Sequence, residues 1–452
     1  MSDGEEVRLN RIKGTKSVLR FALPSILMMV FTSSYTMVDG LMISNLISTD
    51  AFAGVNLAMP LFSVMTAIGF MFASGGSALV SRKMGESKLK EARSDFTFIL
   101  LFGMVLALVI AVVSLIFMDP LVRLIGADDN LAPYTKEYTS ILAVCAPFFI
   151  MQFITNQFLV VAGKPSLSLV MAIIAGIVNI VLDYVLIAMM DMDVGGAAIA
   201  SGLSAVVPCA VAFFYFISKN CELRFCRPSM NVHTITESCY NGMSEMVSEL
   251  SASISSLAFN LVMMHYLGAN GVSAITIVMY IQFLSIAVII GYAMGVAPVM
   301  GYNYGKQDRK SMSSLYKTSM LFVLAFSVTV FICMELFGEY FVRLFDTGDM
   351  DLRRIASYGL SIHAFSYLMM GVNLYVSSLF TSLSDGTRSA IISLMRGLLI
   401  LVPMIVFLPM ILGIEGVWLA IPITELITIC FSLYILRKAS DLYGYGRLIV
   451  SD

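Results

Sequence analysis

Residues 95–118 read DFTFILLFGMVLALVIAVVSLIFM, and after Asp95 twenty-three residues pass without a charge. A bilayer core about 30 Å thick takes roughly 20 apolar residues of helix to cross. The run is continuous rather than alternating, which predicts a helix and excludes a strand of a spanning barrel. Working outward, comparable runs fall near 17–44, 52–80, 136–160, 166–190 and 196–218. A second set falls near 238–267, 271–300, 312–336, 354–382, 388–411 and 415–437. Together they predict an all-α integral membrane protein with twelve transmembrane helices.

Bulk composition agrees. The 452 residues are 58% hydrophobic and 13% charged, with mean hydropathy +0.88. Soluble domains carry about 25% charged residues, so this chain lacks the polar surface to coat a water-soluble body. A net charge of -2 gives no reason to expect nucleic acid as a partner. The seven cysteines form no C-x-x-C and the three histidines lie far apart, so no zinc set is expected. The first apolar run is too long for a leader peptide and should remain as the first span.

Charge predicts the orientation. With both termini in the cytoplasm, twelve spans place 23 of the 28 Lys and Arg residues on the inner side and 5 on the outer. That asymmetry is the positive-inside pattern of a multi-pass cell-membrane protein.

The two halves repeat. Val122-Arg123-Leu124 recurs as Val342-Arg343-Leu344, and Gly85, Tyr138, Gly196 and Met59 recur as Gly305, Tyr358, Gly416 and Met279, all at a shift of 220. Six spans per half is an even number, so the repeats share one topology, related by a pseudo-twofold axis along the membrane normal. Residues 1–218 are expected to form one six-helix bundle and 238–452 the other, joined by a polar cytoplasmic linker over 219–237. Facing bundles leave a central cleft, the plan of a transporter.

Ionisable groups within the bilayer are costly and usually functional. Asp39, Asp183, Glu245, Glu249 and Glu425 fall inside spans, with Arg396 the one basic residue placed to pair with them. Thr32, Tyr35, Thr36 and Asp39 share one face of the first span, and Asn179 and Asp183 lie at i,i+4 on the fifth. Two carboxylates with an amide and hydroxyls offer hard oxygen ligands for Na⁺ or a shared proton; the plainer role is hydrogen-bonded helix contact. The second half lacks this set, since Asp39 maps to Phe259 and Asp183 to Pro403. Glu245 and Glu249 at i,i+4 are secondary candidates for coupling or substrate, and Gln152 and Asn156, beside Gln157, for substrate. His363 and Arg396 could face the cleft, and the 33 methionines could lend it adaptable walls.

These residues carry a resemblance. Pro24 followed by Val38-Asp39, Ser77-Ala-Leu-Val-Ser-Arg82 with Gly85, and Asn179-Ile-Val-Leu-Asp183 followed by Gly196-Ala-Ala-Ile-Ala-Ser201 resemble multidrug and toxic compound extrusion (MATE) transporters over nearly the whole chain. The resemblance implies a monomeric secondary exporter of small, mainly cationic amphipathic compounds, driven by inward Na⁺ or H⁺, with no other cofactor. It implies a cation site at Asp39, Asn179, Asp183 and, by position, Ser201. Some branches place an essential glutamate on helix 7; here the usual proline of that motif is Ser244. The alternative is a lipid-linked oligosaccharide or precursor flippase of the same superfamily, which tends to carry basic cleft residues. A major-facilitator loop pattern is poorly matched, a receptor or scaffold would not need the acidic pairs, and an enzyme would need a nucleophile–base set or metal cluster that the sequence does not offer.

Overall fold

The computed structural model describes residues 8–219, 221–345 and 349–446. Among them the elements are helical, with no strand. The first half contains α1 (Thr15–Leu46), α2 (Thr49–Gly85), α3 (Leu89–Ile116), the short α4 (Met118–Leu124), α5 (Ala132–Val161), α6 (Pro165–Asp183) and α7 (Asp193–Ile217). The second contains α8 (Val232–Gly305), α9 (Arg309–Arg343), α10 (Met350–Ala364), α11 (Tyr367–Ser382), α12 (Gly386–Leu394), α13 (Leu401–Leu412) and α14 (Ile414–Tyr443).

Most helices overrun the apolar stretches that predict them, and at some of them a polar residue caps the start. Ser48 accepts a hydrogen bond from the Ala51 amide at 3.2 Å, Asp308 from the Ser311 amide at 3.0 Å and Asp385 from the Arg388 amide at 3.2 Å. Each satisfies a backbone donor that the first helical turn leaves unpaired.

Among the described residues, ten helices are long and apolar enough to cross a bilayer. α10 and α11, bent by 55°, make an eleventh span together. α8 is two spans. Its 74 residues would run about 110 Å if straight, but Gly268 breaks it with φ 61° and ψ -149°. A methyl on Gly271 would lie 2.8 Å from the Met263 carbonyl oxygen, eight residues back; along a straight helix the two are about 12 Å apart. The chain therefore reverses at Gly268, and the count is twelve. Leu101, Val105, Leu108, Val112 and Leu115 of α3 stay exposed, a stripe at helical spacing that only lipid would cover.

Two spans deviate from α-geometry. α6 passes into a π-turn, Tyr184–Met189, and α12 into another, Met395–Leu399, before α13. π-Turns recur at functional sites because the extra residue re-aims side chains. One follows Asp183 directly, and the other contains Arg396.

The lobes meet at backbone contact, and the pseudo-symmetry is explicit there. A methyl on Gly85 would come within 2.0 Å of the Tyr302 carbonyl oxygen, and one on Gly305 within 2.0 Å of the Arg82 carbonyl oxygen. The pairs 82/302 and 85/305 obey the shift of 220. A second crossing sets Gly75 of α2 on the backbone of Ser238 and Gly242 in α8; its repeat counterpart sets Gly295 on Ala22 and Gly291 on Ser25 and Ile26 of α1. These contacts lie toward the face that carries both described chain ends, where Lys306 donates to Asn10 Oδ1 at 2.8 Å and Gly444 abuts Arg309. Ser253 donates to Ser63 Oγ at 2.7 Å near the middle of α2.

Candidate cation-coupling site

Gly176 lets α1 and α6 come together. A methyl there would sit 2.7 Å from the Phe31 ring and 3.0 Å from that of Tyr35. The close approach carries Asp39, one turn beyond Tyr35, to Asn179 and Asp183. The Asp39 side chain lies within hydrogen-bonding reach of both Asn179 and Asp183.

Asp183 is fully buried and Asn179 is 3% exposed. Both Asp183 oxygens, Asp39 Oδ1 and Asn179 Oδ1 are buried with no hydrogen-bond donor among the described residues. Buried oxygens without donors cost on the order of 1–3 kcal/mol each, more where charged. Two carboxylates at this range repel unless a proton or cation lies between them. The donor set is hard oxygen from two carboxylates and one amide, which fits Na⁺ or a proton. Among the described residues there is no group of three or more His, Cys, Asp and Glu placed to hold a metal ion.

Other residues divide by location. Tyr35 sits beside Asp39, its ring 5.8 Å from that of Phe31. The Thr36 hydroxyl is committed to the Thr32 carbonyl at 2.9 Å on an exposed part of α1. Ser201 is half-buried on α7, and its hydroxyl makes no hydrogen bond among the described residues. Tyr138 of α5, 4% exposed, lies near both aspartates. Its one visible sequence signal was the repeat with Tyr358, which says nothing of chemistry.

Glu245 lines a cavity of about 60 Å³ between the lobes, with Ser74, Ser77, Gln157, Met294 and Thr381. This has room for water; ligand pockets run about 300–1,000 Å³. Gln157 donates across it to the Met294 carbonyl at 3.2 Å. Met294 is the one methionine lining it among the described residues. Asn156 is buried with its Oδ1 lacking a donor, and Gln152 is half-buried one turn away. Glu249 lies near Glu245, and Glu245 near Arg396.

Arg396 is committed elsewhere. Its Nε donates to Glu425 Oε1 at 2.6 Å, and Asn373 Nδ2 donates to Glu425 Oε2 at 2.7 Å. Glu425 is therefore a paired, hydrogen-bonded helix contact. His363 is buried with its ring edge-on to Tyr367, centroids 5.5 Å apart.

The sequence model of the MatE family matches residues 24–185 and 246–407, two stretches of equal length, one in each lobe. The chain belongs to the MatE family. As a MATE protein it is a membrane transporter. It is 24% identical over 419 residues to the multidrug export protein MepA of Staphylococcus aureus strain MSSA476, covering 91% of this chain and 90% of that one. MepA of Staphylococcus haemolyticus is 26% identical over 432 residues, 94% of each. Among solved structures, an outward-facing multidrug-resistance MATE transporter superposes with TM-score 0.92 at 22% identity, covering 99% of this chain and all of that one. A MATE transporter in complex with MaL6 gives 0.92 at 22%, covering 98% and 100%. A MOP-superfamily transporter from Pyrococcus furiosus, described as having a binding pocket of reversed polarity, gives 0.90 at 23%, covering 98% and 99%. These likenesses establish the two-lobe, twelve-helix fold.

Proposed function

We propose that this MATE protein is a secondary active multidrug exporter that moves small, mainly cationic amphipathic compounds out of the cell in exchange for inward Na⁺ or H⁺. Asp39, Asn179 and Asp183 hold the coupling ion, with Ser201 completing the site. The observation that carries this reading is the set of four buried oxygens, from two mutually close aspartates and one asparagine, that lack donors. The names of the MepA relatives, multidrug export proteins, support the export of varied small compounds.

The mechanism follows from differential affinity. A cation between α1 and α6 stabilises whichever arrangement of the first lobe brings Asp39 to Asp183, and so biases the access equilibrium. Cargo that favours the other arrangement competes with the ion, directly or through α1, and each turn exchanges one for the other. Glu245 and Glu249, the acidic pair near the cavity, recruit positively charged cargo, with Gln152 and Asn156 as further substrate contacts. Both termini lie in the cytoplasm, as the 23-to-5 charge split favours. The protein acts as a monomer in the cell membrane. A pyrophosphate-linked cargo is disfavoured because Arg396 is neutralised by Glu425.

Ion binding is testable apart from transport. Na⁺ bound to the folded protein at a hundred times its Kd adds about 2.7 kcal/mol of stability. A proton-coupled site instead releases protons when an organic cation is added in weak buffer. The parent should show one of these responses and Asp183→Asn neither. A parent with neither response, or a variant that keeps it, contradicts the assignment.

A further inference from the structure

The seam between the lobes repeats the Gly85 contact at Gly305 but does not repeat its polar contacts. On one side, Asp95 of α3 is 3% exposed and held at two oxygens: Lys83 Nζ lies 2.5 Å from Oδ2, and Thr234 Oγ1 donates to Oδ1 at 2.9 Å. Thr234 belongs to α8, so this hydrogen bond crosses between lobes. One turn on, Glu237 of α8 pairs with Arg82 of α2 at 2.8 Å. Shifted by 220, Arg82, Lys83 and Asp95 become Tyr302, Asn303 and Leu315, while Thr234 and Glu237 answer to Gly14 and Ser17. None of these counterparts carries a charge. That side is instead tied by a hydrogen bond between the Thr15 and Thr318 hydroxyls at 3.0 Å and by the exposed Lys306–Asn10 hydrogen bond at 2.8 Å, with no ion pair between the lobes there among the described residues.

We propose that Lys83–Asp95–Thr234 and Arg82–Glu237 form a one-sided polar latch that holds the lobes closed on the face carrying the chain ends, and that it opens in each transport cycle. The inference rests on the transporter reading only for its role in the cycle; the latch itself is a statement about the resting equilibrium. Hydrogen bonds to charged groups are roughly twice as strong as neutral ones, and exposed ones are weakened by solvent, so the buried Asp95 contact outweighs the exposed Lys306–Asn10 bond across the seam. The Gly85 and Gly305 contacts match at 2.0 Å, whereas the second crossing is closer on the latch side, 1.9 Å at Gly75 and Gly242 against 2.6 Å at Gly291 and 3.0 Å at Gly295, so backbone approach leans the same way as the charges. Opening must expose Asp95 to water or leave it short of a donor, so parting here is resisted more than at Thr15–Thr318. The latch residues are positioning residues; they touch neither ion nor cargo.

The test measures lobe separation, not transport. Spin labels replace the exposed Lys90 of α3 and Lys310 of α9, one per lobe, in the full chain in nanodiscs. Glu237→Gln and Asp95→Ala should each raise the population at the longer distance at least threefold over the parent. Thr15→Val should raise it less. Unchanged distances in Glu237→Gln, or a shift as large in Thr15→Val, would overturn the proposal. Should Asp95→Ala fail to fold, Glu237→Gln decides, because its side chain lies nearer the surface. Loss of gradient-driven export with the distances behaving as stated leaves the latch standing and removes only its place in a transport cycle.

Discussion

At the residue scale, the two lobes handle intramembrane charge in opposite ways. The first keeps Asp39 and Asp183 close with donors missing, whereas the second gives Glu425 a resident cation in Arg396 and an amide donor in Asn373. Breaking a buried pair by removing one partner typically costs about 3–5 kcal/mol, while replacing both by apolar residues is often neutral. Arg396→Ala should therefore lower the thermal midpoint sharply, and Arg396→Met with Glu425→Met should recover most of it. A single variant as stable as the parent would show that the pair is not buried charge. By contrast, Asp183→Asn relieves like-charge repulsion and should leave the midpoint unchanged or raised when measured without the coupling ion. Asp39, Asn179 and Asp183 stood out in the sequence because polar residues at helical spacing are conspicuous in an apolar run. The Arg396–Glu425 bond was not legible, since nothing in spacing says which of several carboxylates an arginine on another helix will reach. Tyr138 and Asp95 were missed for related reasons: a tyrosine and a carboxylate near a span end are ordinary until a fold brings partners to them.

At the element scale, apolar run length was enough to find the spans, and capping residues mark where α2, α9 and α12 begin ahead of those runs. The break at Gly268 was visible as a gap between runs, while the 55° bend between α10 and α11 has no proline at Phe365 or Ser366 to announce it. The π-turns after α6 and α12 were likewise silent, because a π-turn is a backbone adjustment to packing rather than a residue signature. Close packing of α2 on α8 makes Gly85 and Gly305 a sensitive pair. A methyl 2.0 Å from a backbone carbonyl cannot be accommodated by rotating a side chain. Gly85→Ala should therefore part the helices and wet the small cavity. The measurement is the labelling rate of Ser77→Cys, a cavity residue, by a water-soluble thiol reagent in a background freed of the seven native cysteines. A several-fold faster rate is expected; an unchanged rate would mean that the seam does not close the cavity.

For the whole molecule, the duplicated architecture came from sequence identities at a shift of 220, and it returns in space as the reciprocal contacts of Gly85 and Gly305. What the repeat does not preserve is where the lobes differ in chemistry: the aspartate site, the Arg396–Glu425 pair and the polar latch each lack a counterpart. The proposed orientation rests on the 23-to-5 charge split. A reporter fused to the carboxyl end should be active only if it reads the cytoplasm, and an external signal would reverse the assignment of cytoplasmic termini. The most direct test of coupled export uses proteoliposomes loaded with a fluorescent organic cation, under an imposed Na⁺ gradient or proton gradient, with Asp183→Asn alongside. The account predicts export driven by one of the two gradients in the parent and none in the variant. Export that ignores both gradients, or that survives in Asp183→Asn, would contradict it.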